Sequence, residues 1–336
     1  MTRVAINGFG RVGRAAFRSA FESGGPFELV AINDVAPADQ LAELLAHDTV
    51  YGAFPAEVIG EESAIVVDGH RIPVFAEREP SELPWDELGV EVVLECTGKF
   101  KSRAEAAKHL AAGAAKVIVS APSPDADATI VLGVNFEAYD PETMAVVSNA
   151  SCTTNCLAPV AKVLDETVGI KHGLMTTIHA YTGDQRLVDS PHKDLRRARA
   201  AACNLVPTST GAAKAIGLVL PQLAGKLHGF AVRTPIPTGS IVDLTIETGR
   251  ATTVEEINAA FRAAAEGPLE GVLQYSERPT VSSDIVKSPF SSIVDAPLTA
   301  VIDGTQVKVI AWYDNEWGYS TRLVELAERM LVPAYA

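Results

Sequence analysis

Val4-Ala5-Ile6-Asn7-Gly8-Phe9-Gly10-Arg11-Val12-Gly13 is the stretch that decides the fold. A short apolar strand over 4–7 runs into a glycine turn, and the turn opens a helix pattern over 11–22. Val12, Ala16 and Ala20 recur there at helical spacing, and Gly24-Gly25-Pro26 stops the run. Gly8, Gly10 and Gly13 allow a tight turn and close backbone approach to a pyrophosphate, while the helix dipole favours an anion. Asp34 stands about 20 residues further on, at the end of a second strand over 29–32. A carboxylate there accepts hydrogen bonds from an adenosine ribose and repels a 2′-phosphate. The local pattern is a dinucleotide fingerprint in its full strand–turn–helix context.

Outward from that stretch, the first 150 residues alternate strand and helix. A helix over 39–46 follows, then a hairpin over 64–74 turning at Asp68-Gly69, which tolerates positive φ at both turn positions. Buried strands over 90–95 and 116–120 flank a helix over 103–112 that ends at Gly113, and 146–148 closes the set. Buried strands joined by helices mean a mostly parallel sheet covered on both faces. Beyond a helix near 153–168 the rhythm changes. Stretches 174–180, 230–234, 241–247, 299–303 and 307–313 alternate as antiparallel strands, the last pair meeting at Asp303-Gly304. Thr253 and Glu256 read as a capping box before a helix over 257–265, which Gly267-Pro268 ends, and 319–331 is an amphipathic closing helix. The expected fold is α/β: a Rossmann-type doubly wound parallel sheet over 1–150, then an α+β catalytic domain with a mostly antiparallel sheet over 151–315. The segment 316–336 closes the chain.

The 336 residues suffice for two domains, with 47% hydrophobic and 21% charged. A net charge of −14 disfavours nucleic acid or an anionic membrane as main partner, so an anionic substrate needs a local cationic pocket. No run approaches the length of a membrane span. Met1-Thr2-Arg3-Val4-Ala5-Ile6 shows no signal-peptide pattern, and Cys96, Cys152, Cys156 and Cys203 have no disulfide-framework spacing. A cytoplasmic location is expected.

Ser148-Asn149-Ala150-Ser151-Cys152-Thr153-Thr154-Asn155-Cys156 lies where a strand hands over to a helix. Cys152 at a helix N-terminus is expected to have its thiol pKa lowered from the usual ~8.5. Cys156, one turn on, reads as a packed residue rather than a second nucleophile. His179, at the end of Met175-Thr176-Thr177-Ile178-His179, can serve as a base for the thiol, although spacing alone reads more often as a hydrogen-bonded structural histidine. Zinc on Cys152, Cys156 and His179 lacks a fourth ligand, so no metal is expected. Lys193-Asp194-Leu195-Arg196-Arg197-Ala198-Arg199, Arg233, and Pro207-Thr208-Ser209-Thr210-Gly211-Ala212-Ala213-Lys214 form phosphate-suited clusters or solvated charge runs.

These motifs, with Asn7-Gly8-Phe9-Gly10-Arg11-Val12-Gly13-Arg14 and Trp312-Tyr313-Asp314-Asn315-Glu316-Trp317-Gly318-Tyr319, closely resemble the glyceraldehyde-3-phosphate dehydrogenase family from end to end. The resemblance implies that Cys152 is the nucleophile and His179 its base. It implies a hemithioacetal, hydride transfer to NAD, and a thioester that inorganic phosphate cleaves to 1,3-bisphosphoglycerate. By the same resemblance Gly8, Gly10, Arg11, Val12, Gly13, Asp34, Arg78, Thr97, Ser120 and Asn315 are cofactor positions. Thr182, Asp184, Arg197 and Arg233 match the substrate's phosphate and hydroxyl side, Ser151, Thr153, Thr210 and Gly211 the inorganic phosphate site, and Arg199 the same lining segment. A homotetramer is implied, with the segment around 181–204 near a neighbour's cofactor site and the last helix packing back on the cofactor domain.

Two stretches depart from the family pattern. Ser190-Pro191 stands where strictly NAD-dependent members often carry Leu-Pro, which loosens discrimination against NADP, while Asp34 opposes that; NAD preference with some NADP use is expected. Thr234-Pro235-Ile236-Pro237-Thr238-Gly239-Ser240 differs after Arg233, a packing variation. The alternatives are an erythrose-4-phosphate dehydrogenase, against which Thr210-Gly211 speaks, and a dinucleotide-binding redox-sensing or RNA-binding protein.

Overall fold

The computed structural model describes residues 2–25 and 27–331. Pro26, at the expected helix stop, and 332–336, in the closing segment, lie outside the described residues. The chain divides into two compact units, one made of 1–130, 137–150 and 320–336, the other of 131–136 and 151–319.

In the first unit one sheet carries, in spatial order, Ala128–Thr129, Val146–Ser148, Lys116–Val119, Val92–Glu95, Thr2–Asn7, Phe27–Asn33, His70–Phe75, Ala64–Val67 and Val58–Gly60. Neighbours are parallel as far as His70–Phe75 and antiparallel beyond it. Val93, Val117 and Val119 are buried in its core with Ala5 and Trp85. The register sets Asn7 beside Asn33 on one side and Glu95 on the other, so three polar strand ends meet at the glycine turn. Helix Arg11–Ser23 ends in left-handed Gly24. The hairpin turns as its sequence predicts, with φ of 49° at Asp68 and 78° at Gly69. The helix expected over 103–112 is two short pieces, Arg103–Ala106 and Lys108–Ala111, because Ala107 takes ψ −12° and interrupts the ladder.

In the second unit the sheet order is Val206–Ser209, Leu227–Thr234, Ile170–Ala180, Ser240–Thr248, Gln306–Tyr313, Ser292–Asp295 and Leu273–Ser276, with Ala300–Ile302 also on Gln306–Tyr313. One expectation fails here: Ile170–Ala180 and Leu227–Thr234 run parallel, not antiparallel. Side-chain alternation is the same in both arrangements, so sequence periodicity cannot tell them apart; the intervening helix Ala212–Val219 supplies the crossover that parallel pairing needs. Val206–Ser209, within a stretch that reads as loop, pairs as an edge strand, where Pro207 lacks only a dispensable donor. Helix Cys152–Val168 packs on helices Ala212–Val219 and Val254–Ala265 and on the sheet. Leu174, Ile178 and Phe230 of this sheet remain exposed. Thr253 accepts the Glu256 N–H, but the Glu256 carboxylate turns to Arg250 and Thr252, so only half of the expected capping box forms. Among the described residues no helix is long and apolar enough to cross a membrane.

Candidate active site

The turn after the first strand floors a cleft of about 430 Å³ lined by Gly8, Gly10, Asp34, Arg78, Thr97 and their neighbours. Gly8 has φ +92°, and a Cβ there would lie 2.6 Å from the Thr97 nitrogen; one at Gly13 would lie 2.2 Å from the Gly8 carbonyl. Gly10 is different: a Cβ there would meet nothing within 4 Å. Helix Arg11–Ser23 has no side-chain cap and no acidic residue in its first turn, which leaves its positive end open to an anion. The Asp34 carboxylate is oriented by the Phe9 N–H at 2.7 Å and the Ala36 N–H at 3.1 Å, with acceptor capacity left for a diol. A dinucleotide fits this chemistry. Arg11 pairs with Asp48 and lies over the Tyr51 ring, so its guanidinium is held by protein groups. Val12 accepts at its carbonyl from the Ser320 hydroxyl, and Ser120 lies against the Cys96 thiol.

In the second unit, Ser151 caps helix Cys152–Val168 by accepting the Thr154 N–H at 3.1 Å. Ala150 just before it adopts φ 56°, a strained value for a non-glycine residue, and the bend delivers Cys152 at the first helical position. The Cys152 sulfur lies 3.4 Å from His179 Nε2. His179 Nδ1 lies 2.7 Å from the Ala180 carbonyl and 2.7 Å from Arg233 Nη1. One nitrogen cannot donate to the first and accept from the second at once. With the proton on Nδ1, Nε2 is free to accept from the thiol; with Arg233 donating to Nδ1, Nε2 carries the proton and faces a thiolate. The pair can therefore pass a proton without moving.

Burial and the neighbouring Arg233 charge pull His179 down to about 3, so the imidazole is neutral in the working range. Burial pushes the Cys152 thiol up, opposed by Arg233 and Thr153. This runs opposite to the expectation of a thiol lowered at the helix end: burial outweighs the Arg233 charge and the hydrogen bonds at Thr153.

The two parts correspond to two family models, the glyceraldehyde 3-phosphate dehydrogenase NAD binding domain over residues 2–103 and its C-terminal domain over 151–315. The chain belongs to the glyceraldehyde-3-phosphate dehydrogenase family. It is 59% identical over 324 residues to glyceraldehyde-3-phosphate dehydrogenase 2 of Streptomyces avermitilis, covering 96% of this chain and 97% of that protein. It is 58% identical to glyceraldehyde-3-phosphate dehydrogenase 1 of Bacillus cereus, with 98% of each covered, and 58% to the enzyme of Geobacillus stearothermophilus, with 97% of each. Membership makes the chain an oxidoreductase with NAD as cofactor.

Around the family's thiol the expected substrate residues are partly gathered. Arg197 donates to Asp184, to the Thr208 hydroxyl at 2.9 Å and to the Ser209 carbonyl at 3.2 Å. Burial pushes the Asp184 carboxyl up, but Arg197 and His192 outweigh it and hold it below the usual range. The Thr182 N–H faces Gln185 Oε1 at 3.4 Å. Arg233 keeps its Nε without a partner among the described residues, an unmet donor beside the thiol–imidazole pair. Thr210 Oγ1 accepts the Ala212 N–H, and Gly211 caps helix Ala212–Val219 with open space at its Cβ position. Arg199 is not drawn in: it is exposed and paired with Asp189 at 2.7 Å. Asn315 Oδ1 accepts from Ser240 at 2.9 Å, and Ser240 accepts the Ala180 N–H, which ties Asn315 to the end of the histidine strand. Tyr313 is a site residue that sequence reasoning leaves without a role. Its buried hydroxyl lies 2.8 Å from Thr153 and from Thr177, and its ring meets His179 edge-on. An aromatic with a polar tip in a buried strand is the one signal the sequence carries for it.

Proposed function

We propose that this protein oxidises D-glyceraldehyde 3-phosphate with inorganic phosphate to 1,3-bisphosphoglycerate, Cys152 being the nucleophile and His179 its base. The observation that carries the reading is the 3.4 Å contact between the Cys152 sulfur and His179 Nε2. As sulfur adds to the aldehyde carbon, His179 Nε2 takes the thiol proton while Nδ1–H stays on the Ala180 carbonyl, and the ring hands that proton to the former carbonyl oxygen, which becomes the hydroxyl. The adduct is a hemithioacetal on Cys152. Bound NAD supplies the hydride acceptor. His179 handles the hydroxyl proton, and the acyl group remains as a thioester. Inorganic phosphate then attacks the thioester carbon, and the Cys152 thiolate leaves. Arg197 and Arg233, with Thr182, Asp184, Ser151, Thr153, Thr210 and Gly211, are the groups offered to the two phosphates. Arg199 is left at the rim.

Gly8, Gly10, Arg11, Val12, Gly13, Asp34, Arg78, Thr97 and Ser120 hold the cofactor in this reading, with Asn315 at the carboxamide. The cofactor domain is 1–150 and the catalytic domain 151–315, with 316–336 returning to the former. Asp34 supports NAD over NADP, with Ser190 allowing some of the latter. The exposed Leu174, Ile178 and Phe230, at 68%, 38% and 48%, support a homotetramer, and the net charge of −14 supports a cytoplasmic enzyme without nucleic acid as main partner. Steady-state oxidation of glyceraldehyde 3-phosphate and of erythrose 4-phosphate, with NAD and NADP and varied phosphate, tests the assignment. Absence of phosphate-dependent NADH formation from the triose overturns it, and light scattering checks the tetramer.

A further inference from the structure

Beneath the dinucleotide cleft lies a buried carboxylate that the mechanism does not use. Glu95 ends the strand Val92–Glu95 and is 1% exposed. Its Oε2 accepts from Asn7 Nδ2 at 2.5 Å and contacts His109 Nε2 at 3.2 Å. Its Oε1 accepts from the Thr97 N–H at 2.8 Å and from the Thr97 hydroxyl. The tautomer of His109 is fixed by Trp85, whose indole N–H donates to His109 Nδ1 at 3.0 Å. An indole can only donate, so Nδ1 accepts and Nε2 carries the proton toward Glu95. Four donors thus converge on one carboxylate, the number its two oxygens can take.

The chain of donors has a direction. The Glu77 N–H donates to Asn33 Oδ1 at 2.9 Å, while Asn33 Nδ2 donates to the Glu77 carbonyl at 2.9 Å and to Asn7 Oδ1 at 2.7 Å. Asn7 passes the polarity on to Glu95. Asn7, Asn33, Glu77 and Thr97 all line the cleft, and Arg78 and Lys99 are the next residues on its two walls. The Lys99 N–H is held in turn by the Thr97 hydroxyl oxygen at 3.0 Å. One buried anion therefore ties the wall at 77–78, the floor at Asn7 and the wall at 97–99 into a single hydrogen-bonded frame. The frame also sustains the close approach of Gly8 to Thr97, where no Cβ fits.

We propose that Glu95 is a positioning residue for the cofactor: its buried carboxylate, fed by Asn7, Thr97 and His109, pre-sets the cleft walls before the dinucleotide arrives. The inference rests on the cleft being the NAD site. Glu95→Gln keeps the shape but places an amide where only an acceptor fits, so the Thr97 and Asn7 donors cannot all be met. Calorimetric titration of NAD into Glu95→Gln should show affinity weakened by about tenfold, from walls that must be ordered on binding. Turnover at saturating NAD should stay within about twofold of the parent, since no reacting atom touches Glu95. Unchanged affinity in a folded Glu95→Gln protein overturns the proposal, as does a loss of kcat with affinity intact. Asp34→Asn in the same titration separates the two assignments: if neither variant weakens NAD, the cleft is not the cofactor site, and if only Asp34→Asn does, the frame is not what holds it. Should Glu95→Gln fail to fold, hydrogen exchange on the unaltered protein decides. The amides of Cys96, Thr97 and Lys99 should be protected before NAD is added. Free exchange there that slows only on NAD addition refutes a pre-set wall.

Discussion

The two functional regions are built on opposite plans. The dinucleotide cleft is made chiefly of backbone: a glycine turn, a helix end, and a carboxylate about 20 residues on. The thiol site is made of side chains that the chain brings from afar, with Cys152 and His179 separated by 27 positions and His179 and Arg233 by 54. A backbone site is least tolerant where its glycines pack against backbone, at Gly8 and Gly13. A side-chain site tolerates changes of shape around it but not the loss of one atom at its centre. The contrast also explains their electrostatics: the cleft offers partial charges fixed by helix geometry, whereas the thiol pocket holds full charges whose balance is set by burial.

That contrast can be broken by experiment. Cys152→Ser should reduce oxidation to background while calorimetric NAD affinity stays near the parent value, because the hydroxyl has neither the acidity nor the nucleophilicity of the thiol; parallel loss of NAD binding would mean the two functions are not separable. His179→Asn should slow acylation by about 10²–10⁴-fold in a stopped-flow burst. A loss of only a fewfold would leave the imidazole a structural role. At the cleft, Gly8→Ala forces a Cβ against the Thr97 backbone at positive φ and should cost on the order of 1–3 kcal/mol in denaturant unfolding. Gly10→Ala meets open space, so stability should hold while NAD affinity falls. If both variants behave alike, the space above Gly10 is not where the cofactor's phosphates lie.

A further effect concerns pH. His179 is pulled down to about 3 in the folded chain, against about 6.5 in the unfolded one. Between those values the unfolded state binds the extra proton, so this residue makes folding stability fall as pH drops from 6.5 toward 3. His179→Gln removes that contribution. The difference in unfolding free energy between variant and parent should grow in the variant's favour by about 1.4 kcal/mol per pH unit across the window. A difference that stays flat with pH would show that the imidazole protonates in the folded protein as it does in water.

How far the sequence carries the reading follows from the same contrast. The hairpin at Asp68-Gly69 and the turn at Asp303-Gly304 are legible because positive φ at two consecutive residues is a local demand that few residue pairs meet. The direction of the strand Leu227–Thr234 is not legible, since alternation is blind to polarity. The break at Ala107 has no glycine or proline to announce it. Glu95 stands in no quoted motif, and Tyr313 stands in one that gives it no role; what marks both is whom they touch.

From the sequence alone come the glycine turn, its helix, Asp34, and the cysteine at a helix start, because each is fixed by neighbours along the chain within a few residues. The folded structure alone decides that His179 pairs in parallel register with Arg233, that burial pushes the Cys152 thiol up, and that one buried carboxylate gathers four donors under the cleft. The reason is physical. Dihedral preference and spacing are local properties, whereas strand register, desolvation and hydrogen-bond saturation exist only once distant segments have excluded water together.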